Sequence, residues 1–545
     1  MRTNLPRRVL AAAAALASAL TLATLAPAPA LADSGNTLNV VGTSDVSDSN
    51  LFAAVLKPGF EKAYPQYQVT YQGNATQQAM NYAKTGQFGA LIVHAPSLEN
   101  QFVAEHYSVE PYGRAIFWGD FVLLGPASDP AGIMTNGQVA SDPAAAFAKL
   151  AAAGEAGKAS FIARETGSGT DVASHAIWAA TTGVSTCTVA AADGGGTMPS
   201  TSTGACDTSS PTYPSWYHVT GAKQAANIQQ ADVCASSVSA NGDDCYVFTD
   251  RGTYQYLKST NALSSLQIVV RGSSQLLVNS FHAYAINPAA ISTGSSINQN
   301  AAQAFLAWIT SPAAQQAIGQ YLNDGSDAPF LPDAAPTLTA TSALPAQVKA
   351  GKAFSVTGTL KNVVPGTPAL AHQQVSLKAV PVADPSAPPL TVATGTTDGQ
   401  GRFSISYKPT EAATYSLATG SITQIENASL SPTFGDLLQP ATLPLSGTVK
   451  VTGAVTLAKA VVRHRKVVLS GTIAPRAAAG AQVVLYAGHP GRKLKPVKTG
   501  KVALRASAFR LAAHLKRGTW RVKVVYVNGQ SSTQATSKTK KVTVR

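Results

Sequence analysis

From Leu38 onward, short β-branched runs alternate with helical ones: "LNVV", "NLFAAVLKPGFEKAY", "YQVTYQG", "TQQAMNYAKTG" and "GALIVHAP" follow in turn. Strand, helix, strand, helix, strand with short connections confines the chain to a mainly parallel sheet with helices on its faces. Ligands of such sheets sit beyond the carboxyl ends of the strands, where strand-to-helix loops expose helix N-termini. The run "GTSDVSDS" after the first strand is a loop of that kind. The pattern holds to about Asp333 and ends at a Pro/Ala/Thr-rich joint, "APFLPDAAPTLTATSALPAQ".

Beyond the joint the chain shows short alternating strands and turn signals, and it repeats itself. "FSVTGTLKN" (Phe354 to Asn362) answers "VVLSGTIAP" (Val467 to Pro475), and "HQQVSLKAV" answers "GAQVVLYAG". "GRFSISYKPTEAATYSL" answers "SAFRLAAHLKRGTWRVKV", each with an aromatic near its end, Tyr415 or Trp520, placed to cap a sandwich core. Two all-β sandwiches of about 100 residues each, the Ig-like size, are expected.

The first residues, "MRTNLPRRVLAAAAALASALTLATLAPAPALADSG", combine arginines, an apolar run and the small-x-small signal Ala30-Leu31-Ala32. They read as a secretory signal peptide cut near Asp33. No cysteine follows the cut to carry a lipid, and no later apolar run is long enough to span a bilayer. The four cysteines, Cys187, Cys206, Cys234 and Cys245, cluster in one polar segment of an exported chain and read as two disulfides. Three pairings are possible, and Cys187–Cys206 with Cys234–Cys245 closes the shortest loops. Their spacing is too wide for a metal site, and the scattered histidines suggest none. From Val451 to Arg545 there are 20 Lys plus Arg and no Asp or Glu, so a total of +14 leaves −6 for the rest. A chain so divided has two tasks or two surroundings.

In "ARETGSGTD" the Gly-Ser-Gly-Thr run precedes a helical stretch, "DVASHAIWAA". Gly167 and Gly169 let backbone approach a ligand, and the following helix aims its free N–H groups at the same point. Ser168 and Thr170 add hydroxyl donors and Arg164 a bidentate cation, the composition of an oxyanion site. The same string also serves as a surface turn with a helix cap.

"NLFAAVLKPGFEKAYPQYQVTY", "ALIVHAPSLENQFVAEHYSVEPYGRAIFWGDFVLLGPASDPAGI", "RETGSGT", "FTDRGTYQYLKS" and "NPAAISTGSSINQNAAQAFLAWITSPAAQQAIGQYLNDG" stand in this order. They resemble the substrate-binding proteins of tungstate ABC importers, within the periplasmic-binding class that includes phosphate and molybdate binders. The resemblance covers about Leu38 to Asp333. It implies two α/β lobes and a hinge, a tetrahedral oxyanion as cargo, an ABC permease as partner and no cofactor. Carried over, the family's Arg and Ser-Gly-Thr fall on Arg164, Ser168, Gly169 and Thr170. Its first-loop hydroxyl run falls on Gly42, Thr43, Ser44 and Asp45, so two hydroxyls are kept and two are lost. The family's Asp ahead of "VHAP" is replaced by Gly89, and the cysteine-bearing segment is an insertion. A carboxylate at Asp45 facing the site would repel tungstate, yet would accept a proton from hydrogen phosphate; turned outward it would be a helix cap or Asx-turn. Thr76 and Gln78 open the second helix as contacts or caps. His94 is a donor or a packed strand end, and Asp250 with Arg251 a crossover ion pair or ligand contacts.

The expected organisation is a signal peptide over 1–32 and an oxyanion-binding two-lobe α/β domain over 33–333, with a disulfide-bearing insertion at about 185–246. An Ig-like sandwich over 337–449 and a basic one over 450–545 follow. No nucleophile–base set, carboxylate pair or Gly-x-Ser-x-Gly elbow marks an enzyme. The expected function is a secreted, surface-retained binder of tungstate, molybdate or a phosphate-like anion. The basic module would lie on a polyanionic wall polymer or an anionic membrane surface, not on nucleic acid, since aromatics suited to stacking are sparse. The competing function is a wall-associated adhesion protein whose lobes have changed or lost their ligand. Two disulfides predict no free thiol in the unfolded, unreduced protein; labelling of four thiols would overturn them.

Overall fold

The structure, a computed structural model, describes residues 35–545 except 208, 240, 293–294, 324, 326, 383, 428–433 and 529–533. The expected signal peptide lies outside the described residues.

Eight strands and five helices position the cleft. They are β1 (Thr37–Thr43), α1 (Ser44–Asp48), β2 (Gln68–Asn74), α2 (Thr76–Ala83), β3 (Ala90–Val93) and β4 (Gly113–Pro126). Then come β5 (Ser160–Ala163), α3 (Gly169–Ala180), β6 (Tyr217–Val219), α4 (Gln224–Val233), β7 (Cys245–Asp250), α5 (Arg251–Ser259) and β8 (Val278–Ala285). The sheet runs β2-β1-β3-β8-β4-β7-β5-β6. Pairs β1–β2, β1–β3, β5–β6 and β5–β7 are parallel, while β8 and β4 run against their neighbours. The 14-residue β4 belongs to both halves: its first part, Arg114 to Asp120, pairs with β8, and its second, Phe121 to Leu124, with β7.

Continuous apolar strands are buried on both faces, as parallel sheets demand. In the first lobe Val40 and Ile92 point into one core with Phe281 and Phe305, and Val41 and Leu91 into another with Tyr284. In the second, Phe121, Phe161 and Phe248 face one way and Val122, Ile162 and Val247 the other. This period of two is that of a strand packed between helix layers. The chain therefore folds first as an α/β domain and then, beyond Asp333, as sheets alone, matching the expected fold class.

The first β module packs a three-stranded sheet (Thr337–Ala340, Phe354–Lys361, Arg402–Tyr407) on a five-stranded one, with Val356 and Ile405 meeting Val375 and Leu417 in one core. Tyr415 is buried there, as the repeat predicts. Strand β9 (Phe434–Leu438) leaves this module and pairs in parallel with β4 through Asp436 and Leu437. The second module holds β10 (Ala454–Arg463), β11 (Lys466–Ala474), β12 (Gln482–Gly488), β13 (Lys495–Lys501), β14 (Ala508–His514), β15 (Gly518–Val527) and β16 (Lys540–Val544). Sheets β10-β11-β14 and β13-β12-β15, with β16 beside β15, share one core.

Both expected disulfides are present in the sequential pairing, with separations of 19 and 11 residues. The segment at 185–246 is not a single appendage. The hairpin Thr186–Thr188 with Thr197–Pro199 has its own small cluster of Cys187, Val189 and Met198, and its loop packs on α3 and accepts from Ser97 and Gln101 of the first lobe. Strand β6 and helix α4 are integral to the second lobe, because β6 pairs with β5 and Ile228 of α4 lies in a lobe core.

Where β9 joins β4, His282 is fully buried, with Nδ1 2.8 Å from Glu99 and Nε2 2.9 Å from Asp436. Tyr284 Oη donates to Glu99 at 2.7 Å. Burial alone would lower the His282 pKa, but the charges of Glu99 and Asp436 push it well above the ordinary value. A raised pKa stabilises below the unfolded value near 6.5, and the contribution is lost as pH climbs through the folded value. His282→Gln is expected to cost about 3–5 kcal/mol in chemical denaturation at pH 6 by leaving two buried carboxylates without a cation. The gap between wild type and variant should narrow at alkaline pH; a gap independent of pH would show that the imidazole does not carry the junction.

A candidate anion cleft between the lobes

Helices α1 to α5 each begin where a strand ends, at β1, β2, β5, β6 and β7. Their N-termini therefore converge on the gap between the lobes, as the sheet pattern requires. In the structure that gap is closed. Gln77 N donates to Gly167 O at 3.0 Å, Lys223 Nζ to Gly73 O at 2.7 Å and Ala225 N to Asp48 Oδ2 at 2.9 Å, all from one lobe to the other. Gly167 has φ +76, and a Cβ there would stand 2.7 Å from the Gln77 side chain, so only glycine allows this approach.

Arg164, at the end of β5, is 3% exposed. Its Nη2 donates to Ser44 Oγ of the opposite lobe at 3.2 Å and its Nη1 to Ala222 O, while Nε is buried without a partner among the described residues. The hydroxyls of Thr43 and Thr76 are likewise buried and unpartnered. Unmet buried donors are costly, so three in one closed cleft call for an acceptor. Ser168 caps α3 by accepting from Asp171 N at 3.1 Å, which leaves its O–H free to donate. Thr170 is engaged inside the second lobe, donating to Gln224 Oε1 at 3.2 Å, and Gln224 Nε2 in turn donates to Thr249 Oγ1.

Asp45 does not turn outward as a cap; Thr43 occupies the N-cap position of α1 and Asp45 is 2% exposed. Its Oδ2 lies 2.8 Å from His94 Nε2. Burial would raise the Asp45 pKa, but the charge and hydrogen bond of His94 and the charge of Arg164 outweigh it and hold the carboxyl below its ordinary range. His94 is therefore a buried partner of Asp45, neither a free donor nor mere packing. Gly169 is small because the His94 ring fills the space, 2.4 Å from where its Cβ would stand.

The two departures at glycine also have steric causes. A Cβ at Gly42 would meet Tyr71 Oη and Ile92 O at 2.3 Å, and Tyr71 Oη donates to Thr43 O at 2.8 Å, so a tyrosine from β2 takes the room of a first-loop side chain. A Cβ at Gly89 would press on Leu38 at 2.7 Å.

Asp250 and Arg251 do not pair with each other. Asp250 caps α5 through Thr253 N at 2.8 Å, and burial, with the charge of Asp45, pushes its pKa well up. Arg251 and Arg271 instead both grip Asp120 of β4, and both reach Asp327, at the crossing between the lobes. Gln78 is exposed and outside the cleft. Sequence reading missed Asp48, Tyr71, Lys223 and Gln224; the one signal was that "GAKQ" opens another helix after another strand.

Two lobes strung on a shared strand and shut over buried donors define a solute-binding protein. This chain belongs to the family described as the PBP superfamily domain, whose model matches residues 27–313. It is 29% identical over 298 residues to a Haloferax volcanii protein named as a candidate ABC transporter anion-binding protein, covering 54% of this chain and 72% of that one. It is 27% identical over 294 residues to the tungstate-binding protein TupA of Peptoclostridium acidaminophilum, covering 54% and 84%. A solved tungstate-binding protein, TupA from Desulfovibrio alaskensis G20, is 27% identical and covers 55% of this chain and 99% of its own, with a TM-score of 0.39.

Because His94 is what offsets the buried Asp45, His94→Gln should cost about 3–5 kcal/mol of stability. Adding Asp45→Asn should recover most of it in a urea titration; two additive losses would mean that the pair does not act as a unit.

Proposed function

We propose that this chain is an exported solute-binding protein that captures a tetrahedral oxyanion between its lobes and delivers it to an ABC permease, its basic C-terminal module holding it at the cell surface. The observation that carries the reading is the set of unmet donors, Arg164 Nε, Thr43 Oγ1 and Thr76 Oγ1, enclosed beside the capped start of α3. Arg164 supplies the charge, Thr43, Ser44 and Thr76 supply donors from the first lobe, and Ser168 and Gly169 supply a hydroxyl and backbone from the second. Thr170 acts by fixing Gln224. Enclosure strengthens each contact, because water no longer competes.

The anion class follows from Asp45. Its acceptor oxygen is occupied by His94, so the cleft does not demand a ligand that brings its own proton, and a fully ionised anion meets a neutralised pair. Asp250, with its pKa pushed up, favours the protonated form that donates. Tungstate or molybdate fits this balance better than hydrogen phosphate, and the names of the relatives agree. The reading is of a binder and not an enzyme, since closure brings together donors and no activated nucleophile is needed to hold an anion.

Titration calorimetry of the mature protein with tungstate, molybdate, sulfate and phosphate tests this. Tungstate or molybdate should bind most tightly, and Arg164→Ala should lose about 2–5 kcal/mol of that binding. Unchanged affinity in the variant would remove Arg164 from the site; binding of phosphate alone would overturn the anion class.

A further inference from the structure

The lobes leave the strongest charge in the molecule unused. All 20 Lys and Arg of residues 451–545 lie on a sandwich with no acid of its own, and among the described residues none of them forms an ion pair. Strand topology does not spread these cations evenly. Strand β10 starts at the junction with the first module and runs about 30 Å to its far end, at about 3.3 Å per residue. At that far end lie the turns β10–β11, β12–β13 and β14–β15 and the last residue of β16.

The β10–β11 turn brings Arg463, Arg465 and Lys466, all exposed. The β12–β13 turn brings Arg492, Lys493 and Lys495, also exposed. The β14–β15 turn adds Lys516 and Arg517, and Gly518↔Val544 pairing sets Arg545 beside them. These segments form one surface. Leu515 N donates to Arg465 O at 3.1 Å, and Trp520 Nε1 to Lys516 O at 2.9 Å. The His489 ring lies tilted against Trp520, centroids 4.0 Å apart, with Nδ1 2.9 Å from Thr519 O. The three connections at the near end carry Arg476, Arg505 and Lys538, with Lys501 at their edge.

His464 (φ 47) and Arg465 (φ 63) both sit in the left-handed region of a two-residue hairpin turn. Asn-Gly is the commonest choice there, and this turn instead exposes a histidine and an arginine at the pole.

We infer that this far pole of the C-terminal sandwich is a docking site for a linear phosphodiester polyanion of the cell surface; the inference rests on the retention reading given above. Five of the nine cations are arginines, whose forks bind phosphate oxygens two at a time, as they do carboxylates. A polycarboxylate such as polyglutamate at matched charge should bind less tightly than the phosphodiester polymer if the phosphate assignment holds. The charges stand on three turns around a convex end, which suits a flexible polymer that bends over them. A lipid surface is disfavoured because the most exposed large apolar side chain of the module, Leu504 at 66%, lies at the opposite end. Nucleic acid is disfavoured because Trp520 lies between His489 and the module core and offers no free stacking platform.

The test uses the full chain on immobilised poly(glycerol phosphate), a linear phosphodiester polymer. Arg463→Ser/Arg465→Ser/Arg492→Ser/Arg517→Ser should weaken binding at least about tenfold and flatten its salt dependence. A control with four equal charges removed elsewhere, Arg476→Ser/Lys501→Ser/Arg505→Ser/Arg510→Ser, should stay within about threefold. Equal losses in both variants would mean diffuse charge and overturn the pole assignment. So would tighter binding to phosphatidylglycerol vesicles, or to single-stranded DNA, at matched phosphate concentration. Tungstate-dependent thermal shifts should be the same in all three proteins, since the lobes are untouched. If salt releases the wild type from cells while the pole variant stays bound under the same wash, retention stands and the pole assignment falls.

Discussion

Everything in the first two thirds of this molecule hangs on the backbone of β4. Its 14 residues are hydrogen-bonded to β8 in one lobe and to β7 in the other, and β9 from the following module adds to its first residues. A strand cannot be shared so without a point where it changes neighbours. That point is Gly119–Asp120, where a Cβ on the glycine would stand 2.7 Å from Pro329 O and the aspartate is held by Arg251 and Arg271. Lobe cores on either side can be well packed and still move as bodies, because the change of partner is confined to a few residues and a set of charged bonds.

The cleft balances its charges one by one. Asp45 would oppose an anion, and His94 offsets it; Asp250 would add a third negative charge beside Asp45 and Asp48, and burial favours its neutral form. What is left is Arg164, 3.4 Å from Glu165, together with Lys223, neutral donors and helix ends. The carboxylate at one first-loop position is thus offset by a histidine on a neighbouring strand.

Period-two burial of "LNVV" and "ALIV", the β/α alternation and the break at the Pro/Ala/Thr joint made both fold classes legible, since each is a local pattern. Arg164, Ser168 and Thr43 were legible because glycines and hydroxyls next to a helix start have a backbone meaning. The Asp45–His94 pair was not, because it joins the ends of two strands about 50 residues apart and either residue alone fits a blander role. Tyr71 filling the room at Gly42 and β9 crossing to β4 were hidden for the same reason: a side-chain volume and an edge pairing leave no period in the sequence. The segment around the cysteines misled in the other direction, its polar composition masking β6 and α4, whose short apolar faces are buried by the lobe.

Both covalent cross-links lie in the second lobe and close short loops, and none ties one lobe to the other or either to the β modules. As a graph of bonds, the molecule is therefore a linear chain with two small rings in its middle. Oxidation makes that middle resistant to unravelling, and the ring closed by Cys187–Cys206 also presents Ala191 and Gly194 to Gln101 and Ser97 of the first lobe. The redox state of the surroundings therefore bears on how long the protein lasts and on how firmly it shuts.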